Sequence, residues 1–393
     1  MEWTEESNYT FRLSAYEDRL LALYEEHPEF IAPPRHVATR SSASSRAASR
    51  TCRSRAPRST GGVEVPGDPP DHVMYVWVDA LTNYLTGVGY PNVDSAEFEK
   101  FWPASLHIIG KDITRFHTVY WPAFLMSAGI ELPERVFVHG FLYNKGEKMS
   151  KSVGNVVDPI AMVDQYGLDA VRFFLLREIS YGQDGSYSHE AIVTRMNADL
   201  SNELGNLAQR SLTMVAKNCD AQVPPTPPGE FTEDDLAMLA SADALLAKCR
   251  SEFDVQALHL ALEAIWGVLG ETNRYFSKQE PWVLRKTDPA RMATVLYVTL
   301  EVVRIVGLLV QPVMPDAASR ILDLLGQSEE NRQFADIAVR IDANRKLPAP
   351  APVFPPASSR NELSESAARG SEISGYRRMC RTPPRAHSSH DDE

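Results

Sequence analysis

The chain is poor in cysteine, and its four cysteines, Cys52, Cys219, Cys249 and Cys380, include no Cys-x-x-Cys pair. That excludes a zinc knuckle and a disulfide framework, so no structural zinc is expected and reduced thiols point to the cytoplasm. No unbroken apolar run reaches the ~18 residues that cross a bilayer, so no membrane partner is expected. The opening Met1-Glu2-Trp3-Thr4-Glu5-Glu6 lacks the basic-then-apolar pattern of a secretory leader. Basic charge is short as well: 40 Lys and Arg stand against 52 Asp and Glu, a net −12. That argues against general adhesion to DNA or RNA but leaves room for a local basic surface. What is present is ordinary for a globular protein: 393 residues, 44% apolar and 23% charged, enough for two or three domains with cores.

Acidic residues are missing altogether from one tract. From Phe30 to Val63 there is no Asp or Glu, while seven arginines (Arg35, Arg40, Arg46, Arg50, Arg53, Arg55 and Arg58) lie among Ser, Ala, Thr and Pro. No helix or strand period is visible, and this composition cannot bury a core. Residues 35–62 are therefore set apart as an Arg/Ser-rich linker. It reads as a basic arm for RNA, as a disordered connection, or as a stretch translated in a shifted frame.

The stretch richest in chemistry is Gly146-Glu147-Lys148-Met149-Ser150-Lys151-Ser152-Val153-Gly154-Asn155. Two lysines stand three apart among small and hydroxyl residues, with glycines on both sides. An apolar, strand-like run from Arg135 to Leu142 leads into it. Glycines let the backbone approach a ligand, and lysines act as mobile point charges on anionic oxygens. In nucleotidyl transfer, charge builds on the phosphate oxygens, so placed cations supply much of the help. The plainer reading of a Lys-x-x-Lys is a solvated basic loop.

Two tracts put a strand ahead of a helix. His72-Val73-Met74-Tyr75-Val76-Trp77-Val78 is β-rich, and Asp79 to Leu85 can follow as a helix. Trp77, Ala80 and Tyr84 then gather at the corner, as core or as the wall of a ligand site. Leu106-His107-Ile108-Ile109-Gly110 predicts a buried strand and a glycine turn, with a helix running on through His117 to Met126. Asp112 stands where acidic residues after Rossmann strands accept hydrogen bonds from a ribose. A lone histidine is by default part of a core, and His107 is left there. From Ser188 to Ile337 the runs 188–218, 232–252, 254–277 and 289–311 carry helical spacing. Prolines break them at 224–228, 281 and 312–315, which predicts an antiparallel bundle with Trp266 in its core.

Lys148 to Ser152 match, letter for letter, the loop that marks class I aminoacyl-tRNA synthetases. Tyr75-Val76-Trp77-Val78-Asp79-Ala80 resembles the methionine-pocket strand of the methionyl-tRNA synthetases in that class. Gly110-Lys111-Asp112, Asn202 to Arg210 and Lys278-Gln279-Glu280-Pro281-Trp282 resemble the same family. The resemblance covers most of residues 1–31 and 64–355. It implies an α/β, partial Rossmann-like catalytic domain with a parallel sheet, followed by an all-α anticodon-binding bundle. The segments would be 1–34, the end of a connective insertion; 35–62, the linker; 63–145, the second half of the catalytic domain; 146–187, the lysine loop and stem-contact segment; 188–346, the bundle; and 347–393, a disordered tail.

The implied reaction is ligation of methionine to tRNA: ATP, with Mg2+, adenylates methionine, which then passes to an initiator or elongator methionine tRNA. By the same resemblance Lys148 and Lys151 are catalytic. Lys148, Ser150, Lys151, Ser152, Gly110, Asp112 and His139 bind ATP. Trp77, Ala80, Tyr84, Ile113 and His117 bind methionine, whose polarisable thioether suits an aromatic slot. Asn206, Arg210, Pro281 and Trp282 meet the anticodon, where amide and guanidinium groups read base edges and an indole stacks. Arg172 and Arg177 are structural or face the tRNA. The family's other marker, His-Ile-Gly-His or a close variant, is absent from this sequence. The expectation is therefore an amino-terminally truncated, partly frame-shifted chain with weak or no aminoacylation. Open alternatives are a non-catalytic tRNA-binding module and a synthetase for Leu, Ile, Val or Cys.

Overall fold

Three short parallel strands hold the first part of the chain together in the computed structural model, which describes residues 9–33, 52–53, 63, 65, 73–144, 146–149, 154–225 and 231–354. The chain divides into two units, one of residues up to 143 with 179–186, the other of 144–178 with 187 onward.

In the first unit β1 (Thr10–Phe11) is followed by α1 (Glu17–Glu26), β2 (Ile31–Ala32), β3 (Cys52–Arg53), α2 (Val76–Thr86), α3 (Ala96–Phe101), β4 (His107–Gly110), α4 (Trp121–Ala128) and β5 (Val136–His139). The sheet order is β2-β5-β4, parallel throughout, with His107 opposite Val136 and Gly110 opposite His139. Phe30, Ile31, Ile109, Val136 and Val138 form the core of this sheet, with Leu23, Tyr24 and Ile113 packed on it. A strand buried on both faces reads as a continuous apolar run, as Val136-Phe137-Val138 does; β4, expected to be buried, is covered by the described residues on one face only, with Ile109 at 3% and Ile108 at 54% exposure. The register also sets Gly110 and His139 side by side at the carboxyl ends of their strands. That is where open α/β sheets place ligands.

Two expectations are corrected here. The run around Trp77 is not a strand: α2 begins at Val76, so Trp77 lies in its first turn. β-branched Val76 and Val78 favour a strand, but helical spacing buries Leu81 and Leu85 at 1% and 4% exposure, and that burial wins. The helix after Gly110 is also not one α-helix. It runs as a 3-10 turn over Lys111–Ile113, a π-helical segment over Phe116–Tyr120, and then α4. Within the Arg/Ser-rich linker, the backbone of Cys52–Arg53 pairs antiparallel with Thr10–Phe11, although the composition predicted no strand. The rest of that linker lies outside the described residues. The tail expected to be disordered over 347–393 is ordered at its start, where Leu347 and Val353 are buried in the helical core and the Leu347 amide donates to the Ala221 carbonyl at 2.8 Å; from residue 355 it lies outside the described residues.

The second unit is helical. α5 (Pro159–Tyr166) starts at an Asp158 cap, whose side chain accepts from the Ile160 amide, and α6 (Leu168–Arg177) follows. α7 (His189–Arg195) runs into a ten-residue π-helical segment, Met196–Gly205, and on into α8 (Asn206–Asn218). Then come α9 (Glu233–Asp243), α10 (Leu245–Asp254), α11 (Leu258–Gln279), α12 (Pro281–Thr287), α13 (Pro289–Val310) and α14 (Pro315–Leu324). Pro281, Pro289 and Pro315 open α12, α13 and α14, where the missing N–H costs nothing.

The middle of the unit is α13. It is the one helix among the described residues long and apolar enough to cross a membrane, yet 94% of its apolar window is buried inside the unit. It also carries a buried ion pair: Glu301, fully buried, accepts from Arg304 at 2.7 and 2.8 Å and from the Ile341 amide at 3.1 Å. A helix apolar on every face is a core helix when neighbours cover it. Arg172 is a structural residue, donating to the carbonyls of Pro312 and Val313 at 2.6 and 2.9 Å.

Candidate functional site

One turn after another of α2 presents Trp77, Ala80 and Tyr84, at spacings of three and four that share a face. Trp77 stacks on Phe116, with centroids 3.9 Å apart and planes 11° apart, and meets His117 edge-on at 6.4 Å. The Tyr84 hydroxyl lies 2.9 Å from His117 Nε2. His117 Nδ1 lies 3.1 Å from the Ile113 carbonyl, which can only accept, so Nδ1 carries the proton and Tyr84 donates to Nε2. Burial holds the His117 pKa down, against the raising effect of its bond to Ile113, and keeps the ring neutral. Ala80 and Tyr84 are exposed, Trp77 and Ile113 half-buried and His117 buried. The result is a patch of aromatic rings with one oriented histidine, able to hold an apolar, polarisable side chain.

His107, left at its default as a satisfied core residue, belongs to the same cluster and is not satisfied. Its ring packs 4.4 Å from Tyr84, and its buried Nε2 has no hydrogen-bond partner among the described residues. Burial, with a smaller contribution from His117, pushes its pKa down to about 4.

The strand ends form the second part of the site. A side-chain carbon added to Gly110 would stand 2.8 Å from Asp112 Oδ1 and 3.8 Å from His139 Cε1, so these three predicted nucleotide residues are neighbours. Asp112 is exposed there, free to meet solvent or a ligand. Beside them Lys111 donates to Asp184 at 2.6 Å, and the Phe141 amide donates to the other oxygen of Asp184 at 2.8 Å. The Lys111 ammonium and that amide hold the Asp184 carboxyl below its ordinary range. Gly140 is required by close approach: a Cβ would stand 2.2 Å from the Gln183 carbonyl oxygen and 2.5 Å from the Asp184 nitrogen. Tyr181 stacks on Phe137 at 4.8 Å and lies parallel to His139 at 6.4 Å. The 181–184 segment therefore braces the turn after β5 and the tract after β4 together.

The lysine loop belongs to the other unit. Lys148 is exposed and lies in a two-residue strand with Glu147. Asn155 ties the loop's base: it donates to the Lys148 carbonyl at 3.1 Å, and its own carbonyl accepts from Asn144 at 2.9 Å. Gly146 and Gly154 flank the loop at φ +82° and +71°, a backbone region that favours glycine. Ser150, Lys151 and Ser152 lie outside the described residues.

In the helical unit Asn206 and Arg210 begin α8, one turn apart, with Asn206 exposed and Arg210 half-buried. The Arg210 guanidinium lies over Phe276 at 5.1 Å and over Trp282 at 5.6 Å. Pro281 is buried and fixes the turn, while Trp282 is 38% exposed. A guanidinium held between two rings, one of them open to solvent, is a platform on which a further planar group can stack. Trp266 sits in the core, 4.5 Å from Phe173, with its Nε1 donating to the Asp199 carbonyl at 3.1 Å.

A family model described as tRNA synthetases class I (M) matches residues 1–212, and a second, described as the anticodon binding domain of methionyl tRNA ligase, matches residues 223–362. The chain belongs to the methionyl-tRNA synthetase family. It is 62% identical over 357 residues to the methionine–tRNA ligase of Mycobacterium tuberculosis (strain ATCC 25618 / H37Rv), a match covering 90% of this chain and 68% of that protein. With the methionine–tRNA ligase of Brucella melitensis biotype 1 it shares 59% identity over 361 residues, again with 90% and 68% covered. It is similar in structure to M. tuberculosis methionyl-tRNA synthetase bound by methionyl-adenylate, with a TM-score of 0.84, 60% identity, and 90% of this chain and 70% of that one covered. The family's class I catalytic fold with a parallel sheet, and its helical anticodon-binding domain, are thus the fold of this chain. Within this methionyl-tRNA synthetase fold, sequence reasoning missed Phe116, His107, Tyr181 and Asp184. Only the aromatic content around His117 hinted at the first; the others act through contacts distant in sequence.

Proposed function

We propose that this chain carries the methionine slot, the adenosine corner and the anticodon platform of a methionine–tRNA ligase. The reading rests most on one observation: Trp77, Tyr84 and His117 converge as an aromatic patch with an oriented, neutral histidine. Trp77 and Tyr84 wall in the thioether, and Ala80, Ile113 and His117 close the slot. Gly110, Asp112 and His139, at the carboxyl ends of β4 and β5, take the adenosine of ATP. Lys148 and Lys151, with Ser150 and Ser152, stabilise charge on the phosphates as the methionine carboxylate attacks the α-phosphorus and pyrophosphate leaves. The carboxylate needs no general base, so the step is positioning plus electrostatics. Magnesium enters as part of the ATP complex. The tRNA 3′ hydroxyl then displaces AMP, while Asn206, Arg210, Pro281 and Trp282 hold the anticodon of a methionine tRNA, initiator or elongator. The place of action is the cytoplasm.

The sequence carries no His-Ile-Gly-His stretch, so turnover by this chain is expected to be weak or absent while methionine and tRNA binding persist. A thermal-shift series tests the reading. At a hundredfold excess over its Kd, methionine should stabilise by about 2.7 kcal/mol, whereas leucine, isoleucine, valine and cysteine should leave the melt unchanged. An equal shift with any of those four, or none with methionine, overturns the assignment. Methionine-dependent pyrophosphate exchange at the rate of a full-length ligase would overturn the expected weak turnover.

A further inference from the structure

We propose that His107 and Trp121 hold an ordered water molecule behind Tyr84, and that His107 is thereby a positioning residue of the methionine slot. The proposal rests on the reading of Trp77, Tyr84 and His117 as that slot. Tyr84 is 37% exposed, and three rings back it. His107 lies 4.4 Å from its centroid and Trp121 6.2 Å away; Trp102, 6.2 Å from His107 and 6.1 Å from Trp121, closes the set. His107 opens β4, Trp102 follows α3 and Trp121 opens α4, so three elements meet at the Tyr84 turn of α2.

Two ring nitrogens of this set lack a partner. His107 Nε2 and Trp121 Nε1 are buried with no hydrogen-bond partner among the described residues, and the two residues are 6% and 2% exposed. The other indole is satisfied: Trp102 Nε1 donates to the Glu131 carbonyl at 3.1 Å. Packing in this corner therefore permits pairing. Leu81, Leu85, Phe98 and Leu125 share the cluster, and their side chains offer neither donor nor acceptor. Buried polar atoms are rarely left unpaired, because desolvation without a partner is costly. An indole N–H can only donate, and the Nε2 of a neutral imidazole accepts when the proton is on Nδ1. One water that accepts from Trp121 and donates to His107 completes both, as buried waters commonly do. Burial keeps the His107 ring neutral near pH 7, as that pairing requires.

The fold alone does not call for an imidazole here. A phenylalanine at 107 would fill the same apolar corner without stranding a nitrogen. A group that costs stability beside a ligand site is characteristic of positions kept for function. What the imidazole and its water supply is a fixed backing. His117 holds the Tyr84 hydroxyl at 2.9 Å, and His107 holds the ring. With both held, Tyr84 meets the thioether in one geometry, and binding has less ordering left to supply.

The test sets methionine affinity, by calorimetric titration of the full chain, against Tm at neutral pH. His107→Phe should bind methionine about five- to tenfold more weakly while melting no lower than the wild type. His107→Gln, which returns a polar atom to the place of Nε2, should recover most of that loss. A fall in Tm that tracks the loss of affinity, with no recovery by glutamine, would make His107 purely structural and overturn the proposal. Wild-type affinity in His107→Phe would overturn it too; the slot reading stands if Tyr84→Phe still weakens methionine. The water is read separately, from 15N spectra with magnetisation transfer from solvent. One indole N–H, assigned by its loss in Trp121→Phe, should receive that transfer in the wild type and lose it in His107→Phe. No transfer in the wild type overturns the bridge whether or not methionine binds. Transfer without any methionine binding refutes the slot reading and, with it, the positioning role.

Discussion

Asp235→Asn should destabilise the helical unit and loosen the turn that presents Trp282. Asp235 is fully buried. It accepts from the Tyr275 hydroxyl, from the Thr232 amide at 2.9 Å and from both terminal nitrogens of Arg291. Arg291 in turn donates to Gln279 Oε1 at 2.9 Å, directly before the Glu280-Pro281-Trp282 turn. An asparagine has nearly the same shape but only one acceptor oxygen, and its amide nitrogen would face a guanidinium. Removing one partner of a buried ion pair costs about 3–5 kcal/mol, because the other charge stays buried. Arg291 keeps 17% exposure and can reach water, which places the cost near the lower end, ~3 kcal/mol. For a unit of this size that is a fall in Tm of about 6–12 °C.

The same carboxylate gives a pH test. Burial alone would raise its pKa, but the bonds from Arg291, Tyr275 and Thr232 outweigh burial and hold it below its ordinary 3.8. With the folded pKa below the unfolded one, the contribution is fully present above the unfolded value and is lost as pH falls through the folded value. The gap in Tm between wild type and Asp235→Asn, followed by circular dichroism, should therefore stay constant from about pH 7 to 5 and shrink below about pH 4. A variant melting within about 2 °C of wild type at pH 7, or a gap unchanged at pH 3, would refute the reasoning.

Tyr84→Phe removes the hydroxyl that donates to His117. Calorimetric titration should show methionine bound about five- to tenfold more weakly with the fold intact; unchanged affinity would take Tyr84 out of the slot. His107 has its pKa pushed down to about 4 from 6.5. As a base with a lowered folded pKa, it contributes stability fully present above pH 6.5 and lost as pH falls toward 4, ~3 kcal/mol in all. His107→Leu should flatten that stretch of the first unit's stability curve, and an unaltered slope would assign the acid loss elsewhere. Gly140→Ala should cost at least about 1–3 kcal/mol, since the methyl meets backbone atoms of Gln183 and Asp184 that cannot turn aside; a melt equal to wild type would contradict the close approach.

Much of the fold was legible where burial and period agree. The buried parallel strand β5 showed as an apolar run at Val136-Phe137-Val138, and the proline breaks at 281 and 312–315 fell where one helix gives way to the next; the run Ile108-Ile109 also read as buried, yet Ile108 is exposed. Legibility failed where local preference and tertiary burial disagree, as at Val76-Trp77-Val78, where β-branching predicted a strand and the buried Leu81 and Leu85 imposed a helix. The candidate site was legible only as separate pieces. Nothing in the spacing ties Tyr84 to His117, 33 residues on, or Lys111 to Asp184, 73 residues on. Such contacts are made by packing, and a one-dimensional pattern does not record them.

The π-helical segments were the hardest feature to foresee, and they recur where the candidate ligand groups lie. His117 sits within Phe116–Tyr120, and Asn206 and Arg210 follow directly on Met196–Gly205. An amphipathic pattern scored at 3.6 residues per turn absorbs one extra residue without visible damage, so the sequence reads as ordinary helix in both places. In space the extra residue changes which side chains share a face. It carries a cost in backbone hydrogen bonding that persists only where surrounding structure fixes it. Around His117 the fixing contacts are Trp77 on Phe116 and Tyr84 on the imidazole; after Gly205 they include Phe354 against the segment's end. Both segments therefore lie beside the side chains expected to meet a ligand, and around His117 the surrounding rings hold the backbone, which is why a single truncation at Tyr84 should alter methionine binding more than it alters the fold.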